Sequence, residues 1–419
     1  MVVRRSGTAR LAILSSILFF CGSAIGVVCA QDILSTESKT LARWIVTDFG
    51  AVGDGKTDST RAIQNALDAA GENGGGEVFL PVGNYVLESS VRIPSGVTLQ
   101  GIWNAPHHST ITLGSALWIK HGKNQEDGPA AIDLSPSSAL RGVTIYYPEQ
   151  SPDKIIPYSY AIHGRGMNPT VENVTFINVY QGIDFGSKAH ELHTIRYLYG
   201  CVLRRGIYIN QCTDIGRIEN VHFNPHYWAR ANVPEIKIKE GQPGAWDNLV
   251  NYLNENLEVF IFGRTDWEYV FNTFAWGFNV CYRFTKTEQG SCNGSFIGCG
   301  ADGGKTCVLI EDSQKYTGGL LFTNGEFVAM RGDNPVMIRT TNEFAGAAQF
   351  SNCSFWGPCA ENVVIEGTGQ VSLSQCNFVH WAFIGDKTNQ YSVRHLGGTL
   401  MMTACDFRED KPHIFLGPD

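Results

Sequence analysis

A short unit that returns along the chain constrains its fold more than any other feature. The unit reads Asn-x-x-Phe or a close variant, and its phenylalanines are separated by 47, 73, 31, 28, 23 and 29 residues. Several intervals lie near one period, and 47 is about twice that period. Short strands and turns at such a spacing predict a parallel β-helix, whose coils stack about 4.8 Å apart. The repeat phenylalanines are Phe176, Phe223, Phe296, Phe327, Phe355, Phe378 and Phe407.

The repeat also assigns roles to its smaller residues. The position two before each phenylalanine holds Val, Gly or Cys, which indicates an inward site for a small apolar side chain. Parallel Cβ vectors suit a disulfide poorly, so Cys353, Cys376 and Cys405 are predicted to be buried free thiols. Local bridges Cys299–Cys307 and Cys353–Cys359 remain alternatives. The asparagines predict a ladder of turns, which includes Asn173, Asn293 and Asn352.

The ends of the chain suggest how it is processed. Arg4-Arg5, the apolar run Leu11–Phe20 and Val28-Cys29-Ala30 are typical of a signal peptide over residues 1–30, with a retained anchor as the alternative. We therefore expect a secreted, periplasmic or cell-surface protein. Residues 31–43 are predicted to be a linker, 44–410 the β-helix domain and 411–419 a tail. A net charge of −8 argues against a nucleic-acid partner.

The stretch Gly50–Thr57 satisfies the phosphate-loop pattern G-x-x-x-x-G-K-[ST]. A nucleotide site would need a doubly wound domain after it, and none follows. Asp54 would also repel phosphates. The glycines are better explained by a tight turn into a helix that starts after Thr57-Asp58 and carries Ile63 on its apolar face. We expect no nucleotide partner.

One segment breaks the period. Pro225–Phe262 lacks the coil pattern, and Ala245–Leu257 has the apolar stripe of a helix. The sequence therefore predicts a helical insertion around 225–262, carried on the solenoid wall and lining the binding face.

Val46–Gly101 carries a specific resemblance. It reads D-F-G-A-V-G-D-G-x-T-D, then a helix with A-I-Q, then G-G-G-x-V-x-L-P-x-G-x-Y. This closely resembles the N-terminal signature of the pectate-lyase-like superfamily, which includes family 28 glycoside hydrolases (polygalacturonases, rhamnogalacturonases) and mannuronan epimerase-type modules. The resemblance implies an all-β fold, a right-handed parallel β-helix with an N-terminal capping helix, and a carbohydrate substrate. The polygalacturonase motifs N-T-D, D-D, G-H-G and R-I-K are not intact here, so their catalytic residues are not carried over.

Cleavage of a polysaccharide needs paired carboxylates, or a base beside a neutralising cation. Asp266 and Glu268 would share one strand face about 6–7 Å apart, and are the first catalytic candidates. The alternative is an exposed polar strand with Arg264 as an ion-pair partner. Four further residues are predicted to bind substrate, the arginines through uronate or sulfate groups and the tryptophans by stacking on sugar rings: Arg264, Arg283, Trp276 and Trp228.

Asp184 and Asp214 are the second catalytic candidates, because about one coil separates them and neighbouring coils bring such carboxylates together. The alternative is that both cap turns. Asp302, Asp333 and Glu361 each lie six residues after a repeat phenylalanine, which suggests an acidic loop ladder. Such a ladder suits calcium if the protein is a lyase. Otherwise no cofactor is expected.

The sequence favours an exported carbohydrate-active enzyme that cleaves glycosidic bonds of an acidic polysaccharide. A hydrolase is slightly favoured over a lyase. The alternative is a non-catalytic glycan-binding or surface β-helix protein. The expected partner is the polysaccharide, and the chain is expected to be a monomer or a homotrimer.

Overall fold

The computed structural model describes residues 42–103, 113–231 and 238–417. Their strands stack in parallel into one sheet that winds into a β-helix, as the repeat predicts. Each coil contributes to three faces, called here face 1, face 2 and face 3 in chain order. Crossover connections between parallel strands are right-handed as a rule, and the predicted right-handed parallel β-helix agrees with this sheet.

The strands of each face pair only with their neighbours in the stack. Two long strands, Thr170–Phe185 and Thr194–Ile209, run through all three faces. Face 1 otherwise contains Arg43–Ile45, Gly76–Phe79, Val97–Gln100, Ala139–Tyr146, Gly216–Phe223, Glu268–Trp276, Gly294–Ile297, Leu320–Thr323, Ala347–Ser351, Gln370–Ser374 and Thr399–Thr403. Ala139–Tyr146, Gly216–Phe223 and Glu268–Trp276 continue into face 2, which also contains Asp54–Asp58, Gly83–Leu87, Ser115–Ile119, Gly300–Gly304, Glu326–Ala329, Ser354–Phe355, Asn377–Phe378 and Asp406–Phe407.

Face 3 is the face on which the candidate site lies. It contains Val91–Ile93, Ile132–Leu134, Tyr160–Gly164, Glu258–Phe262, Val280–Phe284, Thr306–Ile310, Val336–Thr340, Glu361–Ile365, Val393–His395 and Ile414–Leu416. Its last strand pairs with Val393–His395, so the solenoid continues to Leu416 and the predicted tail from residue 411 was wrong. A separate pair joins Gly166–Met167 to His190–Glu191.

The N-terminal cap forms as predicted. After a short 3-10 helix over Val46–Phe49, the helix Thr60–Glu72 buries Ile63 and its neighbours against the first coils. Asp58 caps it by accepting the Thr60 N–H at 3.0 Å. The Asp54 carboxylate occupies the N–H groups of Lys56 and Thr57, both at 2.8 Å. The loop therefore offers these donors to its own aspartate and not to a phosphate.

Aromatic stacks fill the interior. Phe327, Phe355, Phe378 and Phe407 stack along face 2 with centroids 4.9–5.5 Å apart. Phe296 does not belong to this stack, because it lies on face 1 and stacks on Phe322 at 4.6 Å. Ala301 takes the face 2 position instead. The 73-residue interval is therefore not a whole number of coils, because it runs from Phe223 on face 2 to Phe296 on face 1.

The turn ladder is confirmed for most of its members. The residue between faces 1 and 2 has positive φ in coil after coil, and two side-chain amides bond across coils: Asn272 to Asn220 at 2.7 Å and Asn352 to Asn324 at 2.8 Å. Asn293 is not part of this ladder, since it precedes face 1 and is buried. The 47-residue interval between Phe176 and Phe223 spans two coils, and Gly200 takes the phenylalanine position in the coil between them.

The insertion is helical but shorter than predicted. His226–Ala229 and Ala245–Asn256 are its helices, and Leu249 and Leu253 are buried beneath it. Glu258–Phe262 already belongs to face 3. No helix in the described part of the chain is long and apolar enough to cross a membrane. The predicted signal peptide lies outside the described residues.

All ten cysteines from Cys201 to Cys405 are free thiols. This confirms the prediction for Cys353, Cys376 and Cys405, although Cys405 is only half-buried. The alternative bridges Cys299–Cys307 and Cys353–Cys359 do not form.

Candidate functional site

A cavity of about 550 Å³ lies on the outer surface of face 3. It spans the coils that carry Val91–Ile93, Ile132–Leu134, Tyr160–Gly164 and the ends of the two long strands. Its far wall is the segment 126–130, where Glu126 accepts a hydrogen bond from Tyr180 at 3.1 Å. The cavity thus joins five successive coils to one loop.

A column of outward side chains forms the floor of the cavity. Asp133, His163, Asp184 and Tyr208 are in register on four successive coils. Each follows an inward isoleucine, because side chains alternate across a strand. The inward isoleucines, each without solvent exposure, are Ile132, Ile162, Ile183 and Ile207.

Asp133 is the anchor of this column. Its carboxylate lies 2.7 Å from His163 Nδ1 and accepts two bonds from Arg165 Nη1 at 2.9 and 3.0 Å. Burial works to raise the pKa of the Asp133 carboxyl, but the His163 hydrogen bond and the Arg165 charge outweigh it and lower the pKa. Asp133 therefore stays ionised and fixes the His163 ring, whose Nε2 is then the basic nitrogen of the neutral imidazole.

Asp184 lines the cavity and also caps a turn. Its carboxylate accepts the N–H groups of Gly186 at 2.8 Å and Ser187 at 2.9 Å, and the Ser187 hydroxyl. The Asp184 carboxylate is thus held in place by three donors and presents acceptor oxygens to the cavity.

Tyr160 and Arg205 complete the polar lining. The Arg205 guanidinium bonds to the Tyr160 hydroxyl and donates to Gln181 Oε1 at 2.9 Å. Burial, together with the Asp184 charge, raises the pKa of Tyr160. The phenol therefore keeps its proton across the physiological range, beside a fixed cation.

The structure separates the first pair of predicted carboxylates. Asp266 is half exposed and pairs with Arg264 at 2.8 Å, whereas the Glu268 side chain has no solvent exposure. The prediction that both project from one face was wrong, because Trp267 between them has a φ of 62° and breaks the strand alternation. Neither residue lines the cavity.

The second pair is also separated. Asp184 faces Tyr208 of the next coil, while Asp214 is exposed in the turn that leads from face 3 to face 1. The prediction that neighbouring coils bring the two together was therefore wrong, since Asp214 lies beyond the end of the face 3 strand. Of the four carboxylates predicted to be catalytic, only Asp184 lines the cavity.

The predicted substrate-binding residues lie outside the cavity. Trp228 is 1% exposed, so its ring is not available for stacking on a sugar. Trp276 stacks on Trp246 of the insertion at 6.2 Å. Arg283 lies on face 3, but Glu258 and Glu311 each hold it at 2.7 Å. Arg264 also donates to the Cys212 carbonyl.

The predicted acidic ladder does not form one column. Asp302 lies on face 2 and Glu361 on face 3, where Arg394 pairs with it at 2.7 Å. Asp333 is exposed in a loop. The insertion, in turn, contributes no residue to the cavity lining. Its Tyr252 instead bonds to Tyr180, which contacts the cavity wall at Glu126.

Sequence reasoning missed Asp133, Tyr160, His163, Arg205 and Tyr208, which line the cavity, and also Arg165, which pairs with Asp133. A pattern for four of the column positions is present in the sequence. Ile-Asp-Leu, Ile-His-Gly, Ile-Asp-Phe and Ile-Tyr-Ile begin at residues 132, 162, 183 and 207. The spacings of 30, 21 and 24 residues match single coils and would have aligned the middle residues as one outward column.

The N-terminal part of the chain matches a known family. Residues 44–128 match the model described as rhamnogalacturonase A/epimerase, pectate lyase-like. Alginate lyase 7 of Azotobacter vinelandii is 68% identical over 54 residues, which are 13% of this chain and 6% of that protein. The plasmin and fibronectin-binding protein A of Streptococcus pneumoniae is 35% identical over 153 residues, 33% of this chain and 21% of that protein. The chain thus covers a small part of both relatives.

The fold likeness extends much further than the sequence likeness. The A-module of the mannuronan C-5 epimerase AlgE4 of Azotobacter vinelandii superposes with a TM-score of 0.51. The match covers 90% of this chain and 100% of that module at 15% identity. At this identity the likeness shows the fold alone, which is the parallel β-helix.

Proposed function

We propose that this chain acts on an acidic polysaccharide in the face 3 cavity. The premise is that the chain is a pectate-lyase-like parallel β-helix protein. The reaction begins with removal of the proton next to the carboxylate of a uronate unit. The chain would work outside the cell, in keeping with its predicted signal peptide.

The His163–Asp133 pair is the observation that carries the proposal. A neutral imidazole oriented by an ionised carboxylate is a general base, and its basic Nε2 would take the proton. The electrons of the broken C–H bond move onto the uronate carboxylate, which then carries extra negative charge. Arg205 lines the cavity and can stabilise this charge, while Arg165 holds Asp133 in place.

Tyr160 is the proposed proton donor. From its place beside Arg205 it would protonate the departing glycosidic oxygen, which completes a β-elimination. Return of a proton to the opposite side of the same carbon would instead complete an epimerisation. Both outcomes share the first step, and both fit sequence relatives named as an alginate lyase and a mannuronan C5-epimerase.

Hydrolysis is less well supported by the cavity. A glycosidase needs one carboxylic acid that keeps its proton, with a second carboxylate opposite. Asp133 has a lowered pKa, so it is unsuited to be that acid, and both oxygens of Asp184 already accept hydrogen bonds from its own turn. The preference for a hydrolase inferred from sequence therefore gives way to proton abstraction.

Deuterium exchange into uronate polymers tests the first step directly. The purified chain is incubated with alginate or polygalacturonate in D₂O, and deuterium beside the carboxylate is measured by NMR together with ultraviolet absorbance of unsaturated ends. His163→Gln should lower the rate by about 10²–10⁴-fold. Tyr160→Phe should lower product formation by a similar factor.

Asp266→Asn is the matched control, because Asp266 is a partly exposed carboxylate outside the cavity. It should leave the rate within about twofold. Loss of activity in this variant but not in His163→Gln would overturn the assignment of the cavity. Reducing ends without deuterium uptake or unsaturated product would show hydrolysis instead.

Binding without turnover is the second candidate. The plasmin and fibronectin-binding protein A of Streptococcus pneumoniae matches a third of this chain, and its name describes binding and not catalysis. This candidate predicts retention on immobilised polymer with no exchange and no new ends. In that case Arg205→Gln should weaken retention, whereas Asp266→Asn should not.

A further inference from the structure

A second cluster of reactive side chains lies inside the solenoid. His190 and His193 belong to one coil, Cys212 to the next, and all three are at most 2% exposed. They occupy the turn from face 3 to face 1, where His190 and Cys212 are bridged in parallel register. Glu268 enters the same space from the coil above and has no solvent exposure.

The ligand atoms of this cluster converge on one point. His190 Nε2 lies 3.0 Å from His193 Nδ1, and Cys212 Sγ lies 3.8 Å from the same nitrogen. All three atoms are within 4.8 Å of one another. Tetrahedral zinc with its usual bond lengths places two nitrogens about 3.3 Å apart and nitrogen and sulfur about 3.6 Å apart.

Hydrogen bonding directs two lone pairs to that point. The Glu268 carboxylate accepts from His193 Nε2 at 3.0 Å, which leaves His193 Nδ1 without a proton in the neutral ring. The Lys188 carbonyl lies 3.4 Å from His190 Nδ1 and can only accept, which leaves His190 Nε2 unprotonated in the same way. The distance of 3.0 Å between His190 Nε2 and His193 Nδ1 then fits either a proton shared by the two nitrogens or a cation bound by both.

Charge provides an independent reason for a cation. Glu268 Oε2 is buried and has no hydrogen-bond partner among the described residues. A buried carboxylate without sufficient partners is costly. A divalent ion with one thiolate and one nearby carboxylate would make the cluster neutral. Gly216 keeps the space open, since a Cβ there would lie 2.0 Å from His193 Cε1 and 2.5 Å from Glu268 Oε2.

We propose that His190, His193 and Cys212 bind one zinc ion inside the β-helix. Two imidazoles and a thiolate select a borderline-soft ion and disfavour calcium, which prefers oxygen. Glu268 is a positioning residue, because it holds the His193 ring through the nitrogen that does not bind the metal. A water molecule would complete four-coordination.

The zinc ion would connect neighbouring coils beside the face 3 cavity. Ser187, whose N–H and hydroxyl hold Asp184, lies three residues before His190. The ion therefore fixes the turn that borders the cavity without touching substrate. Cys212 must lose its proton to bind zinc. We therefore expect the ion to be taken up while the chain folds at neutral pH.

Metal content of the whole chain, expressed without a histidine tag in zinc-supplemented medium, tests the proposal. After dialysis, mass spectrometry should find about one zinc per wild-type chain. X-ray absorption should show one sulfur at about 2.3 Å and nitrogens at about 2.0 Å. Chelation under denaturing conditions followed by refolding in Co²⁺ should give the visible spectrum of a tetrahedral thiolate complex.

Cys212→Ser and His190→Ala should lose the zinc, and Cys201→Ser should keep it, because Cys201 is an equally buried thiol outside the cluster. Glu268→Gln should weaken affinity about 10–100-fold. Folded wild-type chain without zinc or Co²⁺ uptake would overturn the proposal and leave a proton-sharing histidine pair. An ion bound without sulfur would overturn it too, and this readout needs no variant to fold.

Discussion

The role of Asp133 in the site can be tested through folding stability, without a measurement of turnover. Its folded pKa lies below the ordinary value of 3.8, so its partners stabilise the folded state whenever the carboxylate is ionised. This contribution is complete above pH 3.8 and is lost as the pH falls through the lower folded pKa.

We predict that Asp133→Asn lowers the free energy of unfolding by about 1–2 kcal/mol at neutral pH. The difference from wild type should shrink below pH 3.8, because the carboxyl of the unfolded chain is protonated there first, and it should vanish once the pH falls below the lower folded pKa. Denaturant unfolding at a series of pH values measures it. Asp127→Asn, on the exposed rim of the same cavity, should show little difference at any pH. A difference in unfolding free energy between wild type and Asp133→Asn that does not decrease in acid would contradict the ion-pair explanation.

At this scale, sequence reasoning reached only part of the site. Asp184 was found because neighbouring-coil carboxylates were sought, yet its partner in register is His163 and not Asp214. Contacts between coils depend on exact register, which varies with each turn length. Glu268 shows the limit most clearly: one left-handed residue, Trp267, moves it from the surface to the interior.

The repeating turn between faces 1 and 2 is the most regular element of the fold. Gly298 occupies one rung of this turn ladder with a φ of 63° and nothing within 4 Å of an added Cβ. In register, its neighbours above and below are Asn272 and Asn324. Asparagine tolerates this conformation and can bond to the amides on both sides.

Gly298→Asn is therefore expected to raise the free energy of unfolding by about 0.5–1 kcal/mol. Gly298→Val should lower it by about 1–2 kcal/mol, because a β-branched residue is strained in the left-handed region. Thermal and denaturant unfolding measure both. Equal effects of the two substitutions would show that the asparagine ladder adds nothing.

Elements with a strong local pattern were predicted well. The capping helix has one apolar face and a turn on each side, and both are visible in the sequence. The insertion was found by its broken period, but its end was placed too late because Glu258–Phe262 lacks the repeat motif. Phe296 was assigned to the wrong face because Asn-Gly-Ser-Phe imitates the unit that crosses the turn ladder.

The whole molecule holds its coils together without covalent links between the cysteines that the structure describes. Ten free thiols, nine of them buried, line successive coils from Cys201 to Cys405. Burial raises the pKa of Cys201 and Cys359, among others outside the proposed zinc cluster, so these thiols stay protonated and unreactive in the folded chain.

We predict that the unfolded chain, treated with chelator, titrates ten thiols between Cys201 and Cys405 before any reduction. The count should be unchanged after reduction, and the folded chain should react far more slowly. Thiol titration in guanidinium with and without reductant measures this. An increase by two or more thiols on reduction would reveal a disulfide and contradict the stacked arrangement.

The column on face 3 runs along the solenoid axis, and this direction determines the length of polymer that the cavity can contact. Five coils border the cavity, and four steps of about 4.8 Å give it a reach of about 19 Å. A linear polymer that lies along the axis would contact Asp133, His163 and Asp184 one after another, at intervals of one coil. A chain lying across it meets only one of them. Under the proposed function, the number of coils would therefore set how many sugar units of a bound polymer contact the cavity at once, and the insertion or loss of one coil would change that length by about 4.8 Å.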